Sequence, residues 1–193
     1  MSKASLFFLI VSALAGQALH ASELFSPAPV DVVSVRTLPA FTVIATDTRG
    51  SLDAAWGHGF RLGARYAALA RSGLNTPTIL TFPDWDATPV AGGNNVHVLV
   101  QVLLDPLPDL PKVRDLDATL QQIPATTVAC YALRGDYSPD SFVFGLKKIQ
   151  DYLKTKNIPA VGAPRYLYYV TTGWMPSWWR IGEVEVPIAP GIQ

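Results

Sequence analysis

The chain has 193 residues, with 15 basic and 15 acidic side chains and a single cysteine. Zero net charge without clustered Lys and Arg excludes nucleic acid as a partner, because phosphate binding needs such clusters. One cysteine excludes an internal disulfide, and no Cys/His spacing of a structural zinc site is present.

Lys3 precedes an apolar run from Leu6 to Ala15, and small residues follow around Ala18 and Ala21. This is the pattern of a secretory signal, predicted over residues 1–21 with cleavage after Ala21 and Ala18 as the alternative. The run is shorter than the ~20 residues a spanning helix needs. The expected mature chain, residues 22–193, is one domain, secreted or periplasmic, with no integral membrane association. Cys130 lies in an apolar run and reads as a small buried hydrophobe.

The segment Leu38–Gly50 aligns without gaps on Ile123–Gly135 at an offset of 85, with six of thirteen positions identical. Chance gives about one. The repeats run from about 30 to 105 and from 117 to 190. In each, an extended segment ends at Arg-Gly, a helix follows, and two strands close the unit. The first helix is predicted over Leu52–Arg71, with Ser51 as its cap and Asp53 in its first turn. Gly57, Gly59 and Gly63 weaken it and allow either close ligand approach or tight packing. The second is predicted over Pro139–Lys156, started by Ser138-Pro139-Asp140, with Phe142, Leu146, Ile149 and Leu153 on its apolar face.

Strands are read from alternation. Val96, Val98, Val100 and Val102 share one face, with His97, Leu99, Gln101 and Leu103 opposite. Val184, Val186 and Ile188 share one face, with Glu183, Glu185 and Pro187 opposite. Under the repeat, His97 is expected in the role of Glu183. Pro187 marks a strand end or an edge. Pro106, Pro108 and Pro111 mark the linker. The predicted class is α+β: a pseudo-twofold repeat of strand-helix-strand-strand, an antiparallel sheet with two helices on one face.

The second repeat, and above all Trp174-Met175-Pro176-Ser177-Trp178-Trp179-Arg180-Ile181-Gly182-Glu183-Val184, resembles the second half of SOUL haem-binding proteins. The related GyrI-like effector-binding domains share the double repeat, and their closing pattern of Glu, apolar, any, apolar, Pro, apolar is similar to Glu183–Ile188. Gly59-Phe60-Arg61-Leu62 through Tyr66 resembles the first SOUL helix. The resemblance implies a tetrapyrrole, haem as cofactor, in an apolar cleft walled by residues 56–66 and 171–181. His58, Arg61 and Arg65 then share one helix face, where arginines pair with propionates. His58 is the candidate haem iron ligand and His97 the second candidate. Trp174, Met175, Trp178 and Trp179 either pack on the core or cover the ligand. Tyr166 stands where GyrI-like binders carry a glutamate before the penultimate strand's tyrosine. Of Tyr166, Tyr168 and Tyr169, two are expected in the core.

The expected function is an exported, non-enzymatic binder of a small hydrophobic or tetrapyrrole ligand. The alternative is a GyrI-like small-molecule effector binder, or a hydrolase, using Glu183. Without such a role, Glu183 and Glu185 are expected to be two solvated acids on an edge strand. A third class is a protein-interaction module whose tryptophan loop is the contact. No GxSxG, HExxH or Gly-rich phosphate loop is present.

Overall fold

A computed structural model describes residues 26–51, 54, 57, 58, 61, 78–85, 96–103, 118–169 and 176–191. Within them, eight strands run β1 Val33–Leu38, β2 Phe41–Gly50, β3 Thr78–Thr81, β4 Val96–Leu103, β5 Thr119–Ile123, β6 Thr126–Arg134, β7 Arg165–Tyr168 and β8 Ile181–Pro187. Helix α1 spans Pro139–Lys156 and a short 3-10 turn spans Ser177–Trp179.

The strands form one antiparallel sheet in the order β1-β6-β8-β7-β3-β4-β2-β5. Exchanging each strand of one half for its counterpart in the other reverses this order, so the sheet has a pseudo-twofold axis between β3 and β7. The first strand of each half pairs with the second strand of the other half. Leu38 faces Thr126 and, 85 positions on, Ile123 faces Phe41. Laid flat, β1 and β2 would stand six strand spacings apart, roughly 29 Å. Three peptide steps join Leu38 to Phe41, which allows at most about 11 Å. The sheet therefore curls until its two ends approach each other, an eight-strand half-barrel.

Helix α1 begins and ends as its sequence dictates. Ser138 Oγ accepts the Ser141 N–H at 3.2 Å, Pro139 opens the first turn, and Asn157 closes the last with φ 55°. Asn tolerates that left-handed geometry better than most residues. The apolar face buries Phe142, Leu146, Ile149 and Leu153 against β6 and β8. Gly145 allows the close approach: a Cβ there would lie 2.7 Å from Val184 Cγ2. The core between α1 and the sheet includes Ile44, Leu80, Phe82, Val98, Val100, Tyr131, Tyr166, Tyr168, Val184 and Val186. Phe142 anchors it, its ring 4.5 Å from Phe82 and 5.1 Å from Trp85.

The first predicted helix is described at Ala54, Gly57, His58 and Arg61, all helical, and Ser51 Oγ accepts the Ala54 N–H at 3.1 Å as its cap. The rest of Leu52–Arg71 and the whole of 1–21 lie outside the described residues. Pro187 ends β8, opposite Val128, as one of the two alternatives required, and β8 lies inside the sheet between β6 and β7, so the edge alternative falls. One further expectation needs correction. The ladders also place Val43 against Leu103 and Val128 against Pro187. The β4-to-β8 offset is therefore 84, and the counterpart of Glu183 is Leu99, not His97.

Candidate functional site

Alternation along β8 sends Val184 and Val186 toward α1 and sends Glu183 and Glu185 to the opposite face. Both carboxylates are completely buried. They are not solvated acids on an edge strand, because β8 is flanked on both sides. A buried carboxylate costs several kcal/mol unless it is paired and hydrogen-bonded. The pairing comes from three directions. Arg36 on β1 places Nη2 2.6 Å from Glu183 Oε1 and 3.0 Å from Glu185 Oε1. Arg165 on β7 places Nε 3.6 Å from Glu185 Oε2. Tyr169, just past β7, donates its hydroxyl to Glu183 Oε2 at 2.8 Å and accepts from Arg36 Nη2 at 3.2 Å.

The N-terminal segment covers this cluster. The Ala28 N–H donates to Glu183 Oε2 at 2.9 Å, and Arg36 Nη1 donates to the Ser26 carbonyl at 2.5 Å. Ala28 packs with Cys130 and Ala132, beside Val30 and Ile181. Asp31, with φ 62°, turns the chain from this segment into β1, and its N–H bonds the Ala132 carbonyl at 2.9 Å. Two carboxylates and two guanidinium groups balance, so the cluster is neutral as it stands.

Burial pushes the Glu183 carboxyl above its ordinary range, Arg36 pulls it back, and Glu185 pushes it up further. Burial and then Glu183 hold the Tyr169 phenol well above its ordinary value. Burial works against the Arg36 charge, but Tyr169, Glu183 and Glu185 outweigh it, and its proton is held more tightly than usual. Burial, with Glu183 behind it, pushes the Cys130 thiol up to about 12, so it is the inert buried thiol the sequence suggested.

Among the described residues, Tyr166 and His97 do not join this cluster. Tyr166 is fully buried on the α1 face, its ring 5.7 Å from Phe142 and 5.0 Å from Tyr168. The sheet separates it from Glu183, so it is core. Tyr168 joins it there and Tyr169 faces the other way, as the alternation required. Trp178 and Trp179 stand exposed, at 66% and 59%, in the 3-10 turn. His58 is half-buried and Arg61 exposed on their helical turn. Arg65, Trp174 and Met175 lie outside the described residues. His97 turns Nε2 to Asp47 and Nδ1 to Asp84, the latter at 3.2 Å. With both ring nitrogens facing carboxylates, neither is directed at an iron. Among the described residues, no three His, Cys, Asp or Glu side chains are arranged to hold a metal ion, and no helix is long and apolar enough to cross a membrane.

Sequence reasoning missed Arg36, Arg165, Tyr169 and Ala28. Arg36 had a signal, since Val33-Ser34-Val35-Arg36 alternates like a strand with an arginine on its second face. Its partners lie almost 150 positions away and are invisible in that pattern.

No family model and no curated protein matches the chain. Solved structures do share its fold. The C-terminal domain of EcmrR superposes with TM-score 0.62 at 12% identity, over 82% of this chain and 97% of that one. A hydrolase from Listeria innocua superposes with TM-score 0.56 at 10% identity, over 84% and 94%. SAV2435 bound to tetraphenylphosphonium superposes with TM-score 0.53 at 13% identity, over 82% and 94%.

Proposed function

We propose that this chain is a GyrI-like small-molecule binding domain and that Glu183 is the group its ligand meets. The observation that carries the reading is a completely buried carboxylate on the sheet face turned away from α1, roofed by a short segment containing Pro27 and Pro29. A structural core gains little from such a cluster, because apolar residues of the same volume are generally as stable. Buried, perturbed acids concentrate at functional sites instead. The ligand that fits is a lipophilic cation or amine. Its charge replaces the Arg36 guanidinium or the Ala28 N–H at Glu183, and its apolar body takes the place of the small residues above. SAV2435, with the same fold, binds tetraphenylphosphonium.

This reading is preferred over haem. A haem would bring two propionates beside Glu183 and Glu185, and like charges at close range disfavour each other. The test is calorimetric titration with tetraphenylphosphonium beside haemin. Saturable binding of the cation, weakened about tenfold or more in Glu183→Gln, supports the reading. Equal binding by wild type and Glu183→Gln, or saturable binding of haemin alone, overturns it.

A hydrolase reading has one observation in its favour. Glu183 has a raised pKa and a phenol at 2.8 Å, which suits a general acid. The four partners already committed to Glu183 and Glu185 favour binding. Hydrolysis of p-nitrophenyl acetate at equal rates in wild type and Glu183→Gln would set the enzyme aside. With residues 1–21 acting as a secretion signal, binding takes place outside the cytoplasm, and fractionation of cells making the full chain tests that.

A further inference from the structure

The pseudo-twofold gives the Glu183 cluster a counterpart in the first half. With β2 laid on β6 at the offset of 85, Ala45, Thr46 and Asp47 take the places of Cys130, Tyr131 and Ala132. With β4 on β8 at 84, Leu99 takes the place of Glu183. With β5 on β1, Ala118, Thr119 and Gln121 take the places of Val33, Ser34 and Arg36. These seven residues line an open cavity of about 520 Å³. That volume lies within the ~300–1,000 Å³ typical of ligand sites.

The same space in the second half is filled. Ala28 packs there on Cys130 and Ala132, and the Asp31 N–H closes on the Ala132 carbonyl. The first half is hollow partly through residue size. On this face Ala45 and Gln121 are smaller than Cys130 and Arg36, their counterparts. The charge differs too. Leu99 stands where Glu183 does, so the floor is apolar, and the acid has moved to the rim as Asp47. Asp47 is mostly exposed, and His97 Nε2 holds its Oδ1. Among the described residues its Oδ2 has no hydrogen-bond partner. Gln121 leans its amide nitrogen on Thr119 Oγ1 at 3.4 Å, a long contact that a ligand can replace.

We propose that this hollow is a second small-molecule site, separate from Glu183, and that it takes a compact aromatic or aliphatic amine. The ammonium pairs with Asp47, the apolar body lies on Leu99, and Gln121 supplies a hydrogen bond. The inference does not depend on the Glu183 reading, because no residue is shared.

The probe is tryptamine, titrated into isotope-labelled full-length protein and followed by amide chemical shifts. Saturable shifts are expected at residues 45–47, 99 and 118–121. Asp47→Asn weakens them about tenfold and Glu183→Gln leaves them unchanged. Thr119→Trp, at an exposed position of β5, blocks the mouth and abolishes them. Ala118→Leu serves the same purpose should the tryptophan variant lose its native circular dichroism. Absence of saturable shifts at these residues overturns the proposal, as do shifts undiminished by both blocking variants. Shifts confined to the neighbourhood of Glu183 also overturn it, while leaving the Glu183 reading standing.

Discussion

The backbone N–H of Ala28 lies 2.9 Å from Glu183 Oε2, although 155 positions of chain separate the two residues. The segment that ends at Val30 thus occupies the carboxylate that a ligand would otherwise meet. A chain beginning at Asp31 is expected to bind tetraphenylphosphonium at least tenfold more tightly than the full chain. It should also lose about 1–3 kcal/mol of stability, since a buried acceptor loses its donor. Calorimetry and urea unfolding read the two quantities. Unchanged affinity would show that this segment does not compete with the ligand.

Glu183 makes stability depend on pH with a definite sign. Its folded-state pKa is raised above the ordinary 4.5, chiefly by burial. The folded state therefore binds this proton more tightly than the unfolded chain. The contribution is fully present below pH 4.5 and is lost as pH rises through the folded value. Wild type should lose stability relative to Glu183→Gln as pH climbs from about 4.5 toward neutrality. Urea midpoints of both proteins across that range check it, and parallel profiles would count against it.

Gly145 is where α1 touches β8. A methyl group there would stand 2.7 Å from Val184 Cγ2 and 3.4 Å from Leu133 Cδ2. Gly145→Ala gains helix propensity of about 1 kcal/mol but overpacks the contact by typically 1–3 kcal/mol. A net loss of up to about 2 kcal/mol is expected in chemical denaturation. A more stable variant would mean that α1 can lift from the sheet without loss.

His97 bridges Asp47 and Asp84, whose side chains are about two-thirds exposed. Exposed pairs of this kind are worth about 0–1 kcal/mol. His97→Ala should lower stability by no more than that. Any absorbance change on adding haemin should be the same in the variant. A haemin band that disappears with His97 would restore it as an iron ligand.

Cys130 is buried and its thiol is pushed up to about 12, by burial first and by Glu183 next. Iodoacetamide at pH 8 should leave the native protein unlabelled and modify it fully in denaturant. Labelling of the native protein at a comparable rate would show that the sheet opens around β6.

Much of this architecture is legible in the sequence. The thirteen-residue repeat exposed the pseudo-twofold, and Ser138, Pro139 and the Phe142–Leu153 spacing defined α1 to its ends. These are local signals carried by neighbouring residues. β1 and β5 were not separated from the strands that follow them. Pro39 and Pro124 interrupt each run, and pairing across the two halves leaves no trace in local periodicity. The burial of Glu183 and Glu185 was missed for a related reason. Alternation tells which face a side chain occupies, and only tertiary contact tells whether that face is covered. Tyr166 shows the opposite error, because a motif position suggested a ligand contact where the period of the strand places it in the core.

The exchange of first strands has a kinetic side. β1 cannot find β6 until nearly ninety further residues are available, and β5 must reach back 74 to 82 positions to β2. Closing such long loops comes before the reward of pairing, so the chain should fold slowly for its size. Neither repeat expressed alone has a mate for its leading strand. Two such fragments mixed together, however, hold every strand pairing the intact sheet needs, and their reassembly would turn one chain into a two-chain protein.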